Sequence, residues 1–195
     1  MQETRLGEVI EATTATFVAQ CHRLGEPPAL GSLVTTSDGD VRIYGVVHNA
    51  ATGSIDPGRR FIALGQEEER EEDVYRSHPE LDQLLRTDFQ TIVVGHLADG
   101  VIRQHLPPRP ARIHNFVQLA PEEELREFTR ALGFLPVLVH APVATRDEAV
   151  AACIRLAGPA HDDRDAFLVR AGKELAVLLA HDSQRMNTLL RLLRS

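Results

Sequence analysis

The chain has 195 residues, 43% hydrophobic and 25% charged, which fits one folded domain or two small ones and excludes a disordered chain. A net charge of -7 argues against a wide basic surface wrapped on a nucleic-acid backbone, and the absence of Trp with only two Tyr leaves few stacking platforms for single strands. Cys21 and Cys153 are too few for a disulfide framework or a thiolate zinc site.

Met1-Gln2-Glu3-Thr4-Arg5 leads into no apolar run of signal-peptide length, and no stretch approaches the ~20 apolar residues of a membrane span. A reducing cytoplasm with no membrane partner is the expected setting. Up to Leu119 the chain carries short β-branched runs punctuated by Gly, Asp and Pro. Strands are predicted at Leu6–Glu11 and Thr14–Cys21. Leu33–Ser37 and Val41–Val47 then flank Asp38-Gly39, a pair suited to the positive φ angles of a tight hairpin turn. With Asp38-Gly39 as the loop, Thr36 faces Val41 and Val34 faces Ile43, so Val34, Val41 and Ile43 share an inward face.

The charge run Gln66–Asp73 reads as a solvated loop or exposed helical face, and Ser77-His78-Pro79-Glu80 as a capping box opening a short helix through Leu81, Leu84 and Leu85. A second hairpin turns at Asp99-Gly100, between Thr91–Leu97 and Val101–Leu106. In that register Val93, Leu97, Ile102 and Leu106 share one face, and His96, Arg103 and His105 share the other. A strand at Arg112–Leu119 completes a set of short antiparallel strands suggestive of a barrel or sandwich.

Beyond Ala120-Pro121 the apolar residues recur at helical spacing. Pro121 suits a first helical turn that Glu122, Glu123 and Glu124 favour electrostatically, and this helix should reach Ala131 and end at Gly133. Another opens at the Thr145-x-x-Glu148 capping box and stops before Gly158-Pro159. From Asp163, the residues Phe167, Leu168, Ala171, Leu175, Leu178 and Leu179 form one stripe. Met186, Leu189, Leu190 and Leu193 continue it after Asp182-Ser183, as core or as a partner-facing surface.

Chemistry is sparse in this pattern. Gly172-Lys173 has the tail of a phosphate-binding loop, but Phe167 stands where the first Gly belongs and Glu174 replaces the hydroxyl that would bind magnesium. His96 and His105 are diagonal on one hairpin face beside Arg103, a cation that disfavours a metal, while His114 lies on another strand; surface or interface histidines are the reading. Ser32 lacks the second Gly of a nucleophile elbow, and Cys21 and Cys153 read as small buried hydrophobes. Asp162, Asp163 and Asp165 suit a helix N-terminus. One basic feature survives: Arg103, Arg109 and Arg112 around the stiff Leu106-Pro107-Pro108-Arg109-Pro110 connector, able to touch an acidic partner or a phosphate. No catalytic residue, cofactor or metal ligand is assigned.

Leu6-Gly7-Glu8-Val9-Ile10, the Phe17 strand, Leu30-Gly31-Ser32-Leu33-Val34 and Tyr44-Gly45-Val46-Val47 together resemble the HAS barrel, the small β-barrel of HerA-type DNA translocases and of the N-terminal domains of ATP synthase α and β subunits. The likeness extends more loosely to Val93-Val94-Gly95 and the hairpin after it. In that family the barrel precedes a RecA-like ATPase core and helps organise a hexameric ring. Here the stretch after Leu119 is too short for such a core and has no phosphate-binding loop. The resemblance therefore implies a stand-alone barrel with a helical appendage, with no catalytic residue to carry over.

The expectation is an α+β chain, a small antiparallel β-barrel with a short helical insertion over 1–119 and an all-helical region over 120–195. It should act as a non-enzymatic assembly module that self-associates or docks on a HerA-type ATPase ring or a related DNA-processing machine, its negative charge arguing against direct nucleic-acid contact. Arg103, Arg109, Arg112, Leu189 and Leu193 are the candidate partner contacts. The rival is a small hydrolase or nuclease using His96, His105 or His114 with a carboxylate. Convergence of His and carboxylate in a concave pocket would favour the rival, and an exposed apolar or mixed-charge patch the docking module.

Overall fold

The alternating apolar residues of the first half can all be buried at once only if the sheet curls back on itself, and it does. The computed structural model describes residues 5–194 apart from 57, 59–61, 65 and 67–69. Glu67, Glu68 and Glu69 of the charge run thus lie outside the described residues. The strands are β1 (Arg5–Ala12), β2 (Thr16–Cys21), β3 (Leu33–Asp38), β4 (Val41–Ser54), β5 (Leu85–Ala98), β6 (Val101–Arg103) and β7 (Phe116–Leu119). Six of them close an antiparallel barrel in the order β1-β2-β5-β4-β3-β7 and back to β1, while β6 extends the sheet beyond β5. Val9, Phe17, Val34, Ile43, Val47, Phe89, Val93 and Val117 fill the interior.

The first hairpin turns one residue later than the sequence predicts. Asp38 pairs with Val41 and Thr36 with Ile43, so the loop is Gly39-Asp40. Gly39 alone has a positive φ, 58°, the pattern of a type II′ turn with Gly at its first central position. Moving the loop by one residue shifts each cross-strand partner by two, so the faces survive: Val34 and Ile43 are in the barrel core and Val41 packs against it. The second hairpin turns at Asp99-Gly100 as read, with φ of 52° and 73°, which is type I′.

Its faces are different from those predicted. Tyr44 pairs with Gly95 but Gly45 pairs with Val93, leaving Val94 as a bulge that inverts the alternation. Val93 therefore enters the barrel core, whereas Val94, Leu97 and Ile102 turn outward to the helices. Leu106 lies past the end of β6 and is exposed, and His96, opposite Ile43, is buried at 4% exposure. Between β4 and β5 lie α1 (Glu71–Ser77) and α2 (Leu81–Leu84); Ser77 ends α1 rather than opening the next helix, and Leu85 already begins β5.

Five helices follow: α3 (Glu122–Arg130), α4 (Leu135–Val139), α5 (Arg146–Ala157), α6 (Arg164–Leu178) and α7 (Ser183–Arg194), with a 3-10 turn at Gly158–Ala160. The change of texture at Ala120-Pro121 is where β7 gives way to α3. Thr145 sits at the start of α5 without capping it, because its Oγ1 is hydrogen-bonded to Nδ1 of buried His48 at 3.1 Å. Asp163 does cap α6, accepting from the Ala166 amide.

The helices pack on the outside of β3, β4 and β5. Leu33, Tyr44, Val46, Ile92 and Val94 form one hydrophobic cluster with Phe128, Phe134, Leu138, Ile154, Phe167, Leu175 and Leu189. Consequently residues 43–48 and 91–96 are buried without interruption, one face inside the barrel and the other under helices. The Tyr44 hydroxyl is trapped in this layer and donates to Glu124 Oε1 at 2.6 Å, while Arg42 holds Glu124 Oε2 at 2.8 Å. Leaving that hydroxyl unpaired would cost about 1–3 kcal/mol. Arg185 of α7 donates to both carboxylate oxygens of Asp147 and to the Val139 carbonyl, fastening the last helix to α5 and α4.

Two predictions follow from this joint. Gly31 has a φ of 83°, and a Cβ placed there would lie 2.5 Å from backbone atoms of Ala152 and Cys153 in α5. Gly39 also has a positive φ, but its Cβ would meet nothing within 4 Å. In chemical denaturation Gly39→Ala should cost about 1 kcal/mol from backbone strain alone, and Gly31→Ala at least about 3 kcal/mol from strain plus overlap. Equal losses would mean that the loop and α5 do not meet.

The second concerns acid. Burial holds the His48 pKa below the usual 6.5, and burial followed by the Arg170 and Arg126 charges does the same to His161. The unfolded chain then binds protons near pH 6.5 that the folded chain refuses, so stability is lost as pH falls below that value. Denaturation midpoints should drop between about pH 7 and pH 5, and His48→Gln should flatten the fall. An unchanged slope would show that His48 is protonated equally well in both states.

Candidate functional site

The helices cover the outer face of β3, β4 and β5; the remaining wall, β7-β1-β2, carries the chemistry. Glu8 of β1 lies directly across from Phe116 of β7 and from Gln20 of β2. His22 follows β2, its amide bonded to the Leu6 carbonyl, and its Nε2 donates to Glu8 Oε1 at 3.3 Å. His114 precedes β7 in a left-handed conformation with φ 66°, anchored by its amide on Val9 O, and its Nδ1 donates to Glu8 Oε2 at 3.3 Å. Asn115 locks this turn by donating to the carbonyl and hydroxyl of Ser37. Glu8, Ile10, Gln20, Cys21, His22 and His114 line a cavity of about 190 Å³.

One carboxylate with an imidazole on each oxygen is an arrangement able to move a proton. Cys21 beneath it is no thiolate: burial, then the Asp88 charge, push its thiol up to about 11. Among the described residues, no group of three His, Cys, Asp or Glu side chains is arranged to hold a metal ion.

The same wall bears an exposed aromatic ring. Phe116 is 43% exposed, whereas Leu119, paired with Val34 of the barrel core, lies on the other face of β7. The Arg5 guanidinium lies 3.9 Å above the Phe116 ring, and the His22 ring meets Phe116 edge-on at 5.9 Å. Cation, aromatic ring, imidazole and carboxylate thus form one contiguous mixed surface.

The residues singled out from the sequence lie elsewhere. Arg103 donates to the Ala98 carbonyl of its own hairpin, Arg109 pairs with Asp38 at 2.8 Å, and the Arg112 amide bonds Ser37 O. Two of these three guanidiniums are thus engaged within the chain. Leu189 is fully buried in the chain's own core, and Leu193 packs against that core half-buried, so the C-terminal stripe finds its cover at home. The rings of His96 and His105 do meet, 5.0 Å apart and edge-to-face, but His96 is buried rather than on the surface and its Nδ1 is bonded to the His105 carbonyl. Gly172-Lys173 lies mid-helix in α6.

A groove of about 520 Å³ runs between α3 and the β5–β6 hairpin over Leu97, Ile102 and Phe128. Glu127 on its rim pairs with Arg130, and Gln104 crosses its end to donate to the Phe128 and Ala131 carbonyls, closing the last turn of α3. Glu8 and His22 went unnoticed in the sequence. The signal was the pairing of two predicted neighbouring strands, which places Glu8 two residues across from His22. Among the described residues, no helix is long and apolar enough to cross a membrane. Compared with known proteins, the chain matches no family model and no curated sequence.

Proposed function

We propose that this chain is a non-catalytic assembly module, a barrel that works by contact with itself or with another protein. The observation that carries the reading is the asymmetry of the barrel wall. One half is sealed by the chain's own helices, and the other presents Phe116 beside Arg5, Glu8 and His22. Aromatic and Arg side chains ringed by polar groups are the residues on which protein contacts concentrate. The resemblance of the first strands to the HAS barrel supports the same reading and gives it a direction: a ring-forming ATPase of the HerA type, or a related DNA-processing machine, as the partner on which the barrel docks.

A hydrolase is the second reading, and the Glu8-His22-His114 pocket favours it. A non-glycine residue held at positive φ beside a cavity is the kind of strain that functional sites store.

The two readings part on substitution. Full-length chain should recover the same bound protein, or itself, whether native or carrying Val177→Asp on the exposed face of α6. Phe116→Asp should lower that recovery by about tenfold or more, as removal of a central aromatic contact does. Equal recovery by all three forms would remove the assembly reading. Turnover of simple esters or phosphodiesters that disappears in Glu8→Gln would establish the hydrolase.

A further inference from the structure

Beyond residue 48 the strand β4 outruns its neighbour. β3 pairs with Val41 to Val46, and Gly31 and Ser32 bond both polar groups of Val47, but β4 continues to Ser54 with only β5 beside it. The hydrogen-bonding phase of this arm is fixed from both sides. The Ile55 amide donates to Leu84 O, and the Val93 amide donates to Ala15 O on the β2 side of β5. Counting in twos along the antiparallel ladder, Asn49, Ala51 and Gly53 bond β5, while the amides and carbonyls of Ala50, Thr52 and Ser54 point away from it.

Among the described residues, no backbone group meets them on that side. Residues 49–53 are all exposed, and a Cβ built on Gly53 would meet nothing within 4 Å. Natural edges are blunted by Lys, Pro or a bulge within the strand. Asn49-Ala50-Ala51-Thr52-Gly53-Ser54 has no charge and no Pro, and its six pairs with β5 run in unbroken register.

We propose that this edge accepts a strand, and that the strand is β4 of a second copy of the chain. Self-complementarity argues for the copy. An antiparallel edge pairs with itself across a two-fold axis. With the axis at Thr52, the three outward residues map onto one another: Thr52 on Thr52, and Ala50 on Ser54 in both directions. Each of the three pairs exchanges two backbone bonds, and the facing Thr pair is a favourable cross-strand neighbour. Two chains that each carry -7 would approach here along a segment with no charged side chain. The proposal rests on the assembly reading but uses a surface other than the Phe116 wall.

The test is a concentration series on the full chain, read by sedimentation and by amide exchange of the peptide covering residues 49–55. The native chain should pass from monomer to dimer as concentration rises, with exchange of that peptide slowing in step. Ala50→Pro removes an outward donor where proline is tolerated, and should leave the melting temperature near its native value while the dimer is lost. Thr52→Lys, which sets two like charges on the axis, should abolish the dimer too. A dimer that survives both substitutions, or unchanged exchange of the peptide across the transition, overturns the edge and leaves the assembly reading to the Phe116→Asp experiment. A monomer at every concentration also overturns the edge, and the assembly reading then stands or falls on partner capture.

Discussion

The rest of the molecule depends on the double burial of β4 and β5. A strand covered on one face needs only alternate residues to be apolar; a strand covered on both must satisfy every side chain it carries. Thr91 does so by donating to the Phe17 carbonyl, Tyr44 by reaching Glu124, and His48 by bonding Thr145. Each polar solution reaches out to another element, so the wall dictates where α3 and α5 start. The helices do not form a separate body beside the barrel, because their core includes Leu33, Tyr44, Val46, Ile92 and Val94 from its outer wall.

Close approach is the second requirement. α5 is buried from Ala149 to Ile154, on all sides, and its residues there are mostly Ala and Cys. Small side chains let the Gly31 loop sit against the helix backbone, which is why a glycine on the barrel and a run of alanines far along the chain belong to the same contact. Arg185 then closes the far side through Asp147, a charge pair held by two parallel bonds.

What could be read from the residues was local. The Asp99-Gly100 turn, the texture change at Pro121, the cap at Asp163 and the stripe through Leu175 and Leu189 all act over a few neighbours. What could not be read was how distant elements meet. The Val94 bulge arises because β5 must serve the barrel core with Val93 and the helical core with Val94, and no periodicity announces such a switch. Glu8 and His114 are 106 residues apart and meet only because β7 returns to β1. His114 stood out as a candidate by residue type; its carboxylate partner depended on ring closure. The extension of β4 to Ser54 was hidden for the opposite reason. Ala, Thr, Gly and Ser carry no alternation, and the pairing with β5 alone holds them extended.

Ring closure also orders the birth of the fold. β7 is the last barrel strand in the chain, and it supplies the missing neighbour of both β1 and β3. On a ribosome, β1 can find β2 early, and β3 can find β4, yet each keeps one side bare until residue 119 has emerged. Through that interval the nascent barrel is an open sheet with two sticky margins. Leu33, which bonds the Ala120 amide just past β7, and Val34, which pairs with Leu119, act as the latch that ends it. The helices α3 to α7 arrive only afterwards, onto a ring that is already closed.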